Sequence, residues 1–80
     1  MFGYELKSKT RKETIDEVLS IIDDEIGDLK KLRDEYYVQI EGYAHSKSIY
    51  DVSEVTRKLK VVQDRIHDYD LIKTTIKYRT

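Results

Sequence analysis

The chain has 80 residues, with 15 basic and 16 acidic side chains and a formal net charge of −1. This length allows one domain, residues 1–80, and the balanced charge argues against nucleic-acid binding driven by bulk charge. The absence of cysteine excludes disulfide bonds and thiol chemistry. No apolar run is long enough to cross a bilayer and the start is not a signal peptide, so we expect a cytoplasmic protein without a membrane partner.

Residues 1–10 are predicted to form a flexible or strand-like N-terminal tail. Phe2, Tyr4 and Leu6 alternate with polar residues, which is the period of a β-strand. Residues 75–80, at the other end of the chain, are rich in β-branched and aromatic side chains. Pairing of the two ends as short strands is one alternative, whereas frayed tails or a final helix that continues are favoured.

A first long helix is predicted over residues 11–44. Its apolar residues recur every three or four positions, as one face of a helix requires. Thr10 or Ser8 can cap its start, with Glu13 as the capping-box partner of Thr10. Gly27 interrupts the pattern, and we interpret it as a tolerated glycine rather than a close backbone contact. The apolar series is Ile15, Leu19, Ile22, Ile26, Leu29, Leu32, Tyr36, Ile40 and Tyr43.

A second long helix is predicted over residues 52–77, after a turn that begins near Gly42. Asp51 is the expected N-cap, with Glu54 three residues later. The apolar spacing alternates between three and four, which is typical of a heptad seam. The series is Val52, Val55, Leu59, Val62, Ile66, Tyr69, Ile72 and Ile76.

Together these elements predict an all-α fold, a long antiparallel hairpin of two helices. A single register, in which residue i faces residue 95 − i, brings apolar positions of the two helices together. The pairs are Leu19–Ile76, Ile26–Tyr69, Leu29–Ile66, Tyr36–Leu59, Ile40–Val55 and Tyr43–Val52.

One seam between two helices is a thin core for a chain of this length. Further apolar residues lie outside that seam, so we expect completion to a four-helix bundle or a coiled-coil assembly, by homodimerisation or by a larger protein. Tyr50 joins this set because tyrosine combines apolar area with a polar tip. The predicted partner-binding residues are Val18, Ile21, Tyr37, Val38, Tyr50, Val61 and Leu71.

The first helix also carries a run of acidic residues without a basic one, from Asp16 to Asp28. Such a run is most often a solvated face, but it can also meet a basic partner. The alternative function is therefore inhibition or regulation of a larger enzyme, as in proteins of mobile elements. The acidic residues expected to contact its cleft are Asp23, Asp24, Glu25 and Asp28.

The sequence offers no constellation typical of an enzyme, so we predict no catalytic, cofactor-binding or metal-binding residues and no cofactor. The three glycines are too dispersed for a phosphate-binding loop. Asp64 and His67 have the spacing of a carboxylate–histidine pair, but His67 should point away from the seam and no inward glutamate pair lies opposite.

The second helix is loosely similar to the two-helix aspartyl-phosphate phosphatases of sporulation phosphorelays. Val55, Val62, Ile66 and Tyr69 match the apolar spacing of that family's second helix. The family signature, Ser-Gln-Glu-Leu-Asp, aligns with residues 59–63, which read Leu-Lys-Val-Val-Gln. Any heptad helix shows such spacing, so the likeness does not assign the chain to that family, and a distant relative would lack phosphatase activity. The leading expectation is a small non-enzymatic interaction module.

Overall fold

Two long helices pack against each other as an antiparallel hairpin in the computed structural model, which describes residues 10–79. Helix α1 spans Arg11–His45 and helix α2 spans Ile49–Tyr78. The predicted all-α hairpin is confirmed, and the described residues include no β-strand. The N-terminal tail lies outside the described residues except for Thr10.

Thr10, one of the two predicted candidates, is the N-cap of α1. Its backbone is extended, with φ −73° and ψ 161°, and its hydroxyl accepts a hydrogen bond from the backbone N–H of Glu13 at 3.1 Å. This bond satisfies one of the backbone donors that the first turn of a helix leaves without a partner. The choice between Thr10 and Ser8 is therefore settled in favour of Thr10.

The turn between the helices comprises residues 46–48 and begins with a Schellman motif. The backbone N–H of Lys47 donates to the carbonyl of Ala44 at 3.1 Å, and that of Ser48 donates to the carbonyl of Tyr43 at 3.0 Å. Lys47 adopts the left-handed conformation that this motif requires, with φ 58°. The motif satisfies the last carbonyls of α1 and reverses the chain within three residues.

Helix α2 begins three residues earlier than predicted, and Asp51 is not its N-cap. Ser48 occupies that position, because its carbonyl accepts the first helical hydrogen bond, from the N–H of Val52 at 3.0 Å. Asp51 lies in the first turn and accepts a hydrogen bond from the hydroxyl of Ser48. A carboxylate in the first turn is favourable because it faces the positive end of the helix dipole. At the other end residues 75–78 are helical, so the strand alternative is wrong there.

The core is confined to the middle of the hairpin. The buried hydrophobic side chains all belong to the predicted seam, and most other seam residues are half-buried. The side chains buried in the core are Ile22, Ile26, Val55, Leu59 and Val62.

Two seam predictions are wrong, those for Tyr43 and Ile72. Tyr43 is 36% exposed and Ile72 is 46% exposed. Tyr43 lies in the last turn of α1, where the chain reverses. Next to Ile72, Lys73 is half-buried and its ammonium group pairs with the carboxylate of Asp23 on α1. The aliphatic stem of Lys73 therefore covers the seam at this level, and Ile72 is turned toward solvent.

Gly27 is open on all sides that a side chain would occupy. A Cβ atom built there would meet no atom within 4 Å. We therefore expect Gly27→Ala to raise the free energy of unfolding by about 0.5–1 kcal/mol, since alanine restricts the unfolded chain and favours the helix. Urea unfolding followed by circular dichroism measures this change, and a destabilised variant would reveal a close contact at Gly27.

Two leucines of α2 provide a matched test of where the core lies. Leu59 is 7% exposed and Leu71 is 53% exposed. Leu59→Ala should cost about 2–5 kcal/mol, because it removes buried contacts and leaves a cavity, whereas Leu71→Ala should cost less than about 0.5 kcal/mol. Urea midpoints of the two variants at one low protein concentration compare these losses, and equal losses would contradict the single-seam core.

Candidate functional site

All seven apolar residues predicted to bind a partner are exposed in the hairpin. The least exposed is Val18, at 39%, and Ile21 reaches 63%. None is buried by the packing of α1 on α2, so each keeps solvent-accessible surface. The other members are Tyr37, Val38, Tyr50, Val61 and Leu71.

A hydrogen bond between the helices identifies one broad face of the hairpin. The side-chain amide of Gln63 donates to the hydroxyl of Tyr37 at 2.8 Å. This bond places the side of α1 that carries Tyr37 and the side of α2 that carries Gln63 on the same face. We call it the tyrosine face.

The opposite broad face carries apolar residues from both helices. At 100° per residue, Val18 and Ile21 lie about 60° and 120° from the buried direction of α1, on the side away from Tyr37. On α2, Val61 and Ile72 lie about 110–130° from the buried direction, on the side away from Gln63. We call this surface the isoleucine face, defined by Val18, Ile21, Val61 and Ile72.

The predicted apolar residues therefore do not share one surface. The hairpin brings together Val18, Ile21 and Val61, while Tyr37 lies on the tyrosine face. Val38 and Leu71 project about 150–170° away from the buried directions, on the outer sides of the two helices. Tyr50 lies in the first turn of α2.

Sequence reasoning missed several exposed apolar residues. Ile72 was assigned to the seam, and only the burial of Lys73 shows that it belongs to the isoleucine face. Ile49 was placed in the turn, but it is the first residue of α2 and is exposed. Recognition of Ser48 as an alternative N-cap would have identified it. Tyr78, the last residue of α2, is exposed as well.

Of the four acidic residues predicted to meet a basic partner, Asp24, Glu25 and Asp28 lie within an arc of about 100° around α1, and Asp23 lies about 100° outside that arc. Asp23, Asp24 and Glu25 are consecutive, so their side chains are separated by about 100° each. The carboxylate of Asp23 pairs with Lys73 across the hairpin. Within residues 10–79, Asp24, Glu25 and Asp28 form no ion pair. Glu25 and Asp28 lie on the same side of α1 as Ile21 and thus border the isoleucine face.

The open end of the hairpin, opposite the turn, has an apolar groove with a basic rim. A cavity of about 590 Å³ there is lined by Arg11, Thr14, Ile15, Thr75, Ile76 and Arg79. Thr14 precedes Val18 by one helical turn and Ile76 follows Ile72 by one turn, so this groove continues the isoleucine face toward the open end. The half-buried side chains of Ile15 and Ile76 form its apolar part.

The described residues contain no cluster of three or more His, Cys, Asp or Glu side chains arranged to bind a metal ion. Asp64, which has the spacing of a ligand pair with His67, instead forms an ion pair with Lys60 at 3.4 Å. Neither α1 nor α2 has an apolar stretch that could cross a membrane. Within residues 10–79, the isoleucine face, the charges beside it and the open-end groove form the candidate binding surface.

Comparison with known proteins gives no further assignment: the chain matches no protein-family model, and no curated protein or solved structure shows significant similarity to it.

Proposed function

We propose that this hairpin is a non-enzymatic interaction module that binds another protein through its isoleucine face. The observation that supports the proposal is that more large hydrophobic side chains are exposed than are buried. In residues 10–79, five hydrophobic side chains are buried, whereas eleven large hydrophobic side chains are exposed. Single exposed apolar residues are common on protein surfaces. Exposed apolar residues that lie together on one face, contributed by both helices, are typical of an interface.

The energetics of the hairpin support the same proposal. Ordering a chain costs about 1.5 kcal/mol per residue, and burial of apolar surface returns about 25 cal/mol per Å². A core of five buried side chains returns little of this cost. Association through the isoleucine face would bury Val18, Ile21 and Ile72 and would thereby stabilise the helices that present them.

The shape of the face indicates how a partner would bind. Two parallel ridges of side chains separated by the seam suit packing against one or two helices at an interaxial distance of about 8–10 Å. Glu25 and Asp28 border the apolar residues on α1, and Arg65 lies between Val61 and Ile72 on α2. A charged rim of this kind selects a partner and its orientation more than it adds affinity.

Site-specific photo-crosslinking in the native cell tests the proposal. A benzoylphenylalanine at Ile21 or at Ile72 should give discrete covalent adducts, because both positions lie on the isoleucine face. Matched controls occupy the neighbouring positions, Ser20 and Leu71, which point away from that face and should give none. Adducts resolved by electrophoresis and identified by mass spectrometry measure the outcome. Equal adduct formation at all four positions, or at none, would contradict the proposal.

A second candidate function is the binding of a basic cleft on a larger enzyme through the acidic residues of α1. It is favoured by the exposed carboxylates of Asp24, Glu25 and Asp28, which form no ion pair within residues 10–79. The same crosslinking experiment distinguishes the two. An adduct from position 24, without one from position 21, would favour the acidic surface, and its yield should fall with added salt.

A further inference from the structure

We infer that the partner on the isoleucine face is a second copy of this chain, docked antiparallel over the open-end half of the hairpin. This inference rests on the proposed function and specifies its partner. On both helices, apolar residues lie at the same height along the hairpin, with basic residues on one side of them and acidic residues on the other. The inference follows from this arrangement.

The centre of the proposed interface is apolar. On α1 the midpoint between Val18 and Ile21 lies at positions 19–20, and on α2 the midpoint between Ile72 and Ile76 lies at position 74. The ion pair of Asp23 with Lys73 shows that these two midpoints lie at the same level to within one helical turn, about 5 Å. Two hairpins can stack through their isoleucine faces about a two-fold axis at this level. The axis lies between the hairpins and runs perpendicular to the helices. It brings Val18 onto Ile21 of the second copy and Ile72 onto its Ile76.

The charges beside this centre are complementary under the same axis. Toward the open end lie Arg11 and Arg79, which line the groove beside Ile76. Toward the turn lie Asp28 on α1 and Asp68 on α2. Rotation about the axis places Arg11 against Asp28 of the second copy and Arg79 against its Asp68. None of these four charges forms an ion pair within residues 10–79.

Charge also selects the antiparallel orientation over the parallel one. A two-fold axis along the helices would stack α1 on α2 of the second copy, and would place Arg11 at the level of its Arg79 and Asp28 at the level of its Asp68. Like charges opposite each other are unfavourable, whereas the antiparallel arrangement pairs opposite charges at both ends. Both axes make every adjacent pair of helices antiparallel, as in an up-and-down four-helix bundle, so the choice between them rests on the charges.

The size of the overlap is sufficient for specific association. From Arg11 to Asp28 the helices extend about 26 Å, and two helices side by side are about 20 Å wide. The contact would cover about 500 Å² of each copy, or about 1,000 Å² in total, which is the size of a weak, transient interface. The groove lined by Ile15 and Ile76 would accommodate side chains of the second copy. We expect a dimer that dissociates in the micromolar range.

A charge-exchange experiment on the full chain tests this arrangement. Sedimentation velocity from about 5 to about 200 µM should show wild-type protein shifting toward twice its mass of 9.5 kDa. Arg11→Asp places two acidic residues against each other at both ends of the interface, and Asp28→Arg places two basic ones there. Each variant should raise the dissociation constant by about 10-fold or more.

Mixing the two variants provides the decisive measurement. In a heterodimer of Arg11→Asp with Asp28→Arg, both contacts again join opposite charges, so the mixture should recover dimer formation that neither variant shows alone. Asp24→Arg is the control, because its side chain points outward, and it should leave dimerisation unchanged. Circular dichroism checks that all variants keep their helices.

Each other outcome overturns the inference. Wild-type protein that stays monomeric would exclude the second copy as partner, and a dimer that both charge reversals leave intact would exclude this interface. A mixture that fails to recover dimerisation would exclude the antiparallel pairing. Failure here is distinct from failure of the proposed function. A monomer that still gives crosslinks to a different protein from Ile21 and Ile72, but not from Ser20 and Leu71, would retain the interaction role.

Discussion

A hairpin of two helices can bury only one stripe of each, and the rest of this structure depends on that constraint. Among residues 10–79, five hydrophobic side chains are buried in the middle of the seam, and the packing loosens toward both ends. A third or fourth helix would be needed to cover the flanking apolar residues. The unpartnered isoleucine face is therefore a direct consequence of the number of helices and not of an unusual composition.

The ends of the hairpin differ in ways that matter for binding. At the turn, a Schellman motif with Lys47 in the left-handed conformation fixes the reversal by backbone hydrogen bonds, and the hydroxyl of Ser46 donates to the carbonyl of Gly42. At the open end, nothing in residues 10–79 closes the groove between Ile15 and Ile76, and its rim is basic. The acidic run of α1, from Asp16 to Asp28, lies farther from the open end than the basic rim. Opposite charges thus flank the apolar part of the isoleucine face along the direction of the helices, which is the condition for self-complementarity.

The N-cap residue predicts the start of α1 correctly but not the start of α2. Thr10 is one of two predicted N-caps of α1, and of the two only Thr10 has a glutamate, Glu13, three residues later. The start of α2 was ambiguous, because Ser48 and Asp51 are both good N-caps and each is three residues or fewer from an apolar residue. Periodicity could not decide between them, since Ile49 and Val52 both fit a helical pattern. The short turn decided it, as the chain had to reverse by Ser48.

The sequence by itself determined the two helices, their antiparallel pairing and the residues at the centre of the seam, because spacing of apolar side chains along one helix is a local property. The tertiary structure decided which side of α1 shares a face with which side of α2. The rotation of 100° per residue separates Tyr37, Val38 and Ile21 around α1, and the contact of Tyr37 with Gln63 shows which side of α2 lies beside Tyr37. Likewise, Lys73 displaced Ile72 from the seam because its long stem reaches Asp23 on the other helix. Such assignments depend on the rotation and level of one helix against the other, which no pattern within a single helix contains.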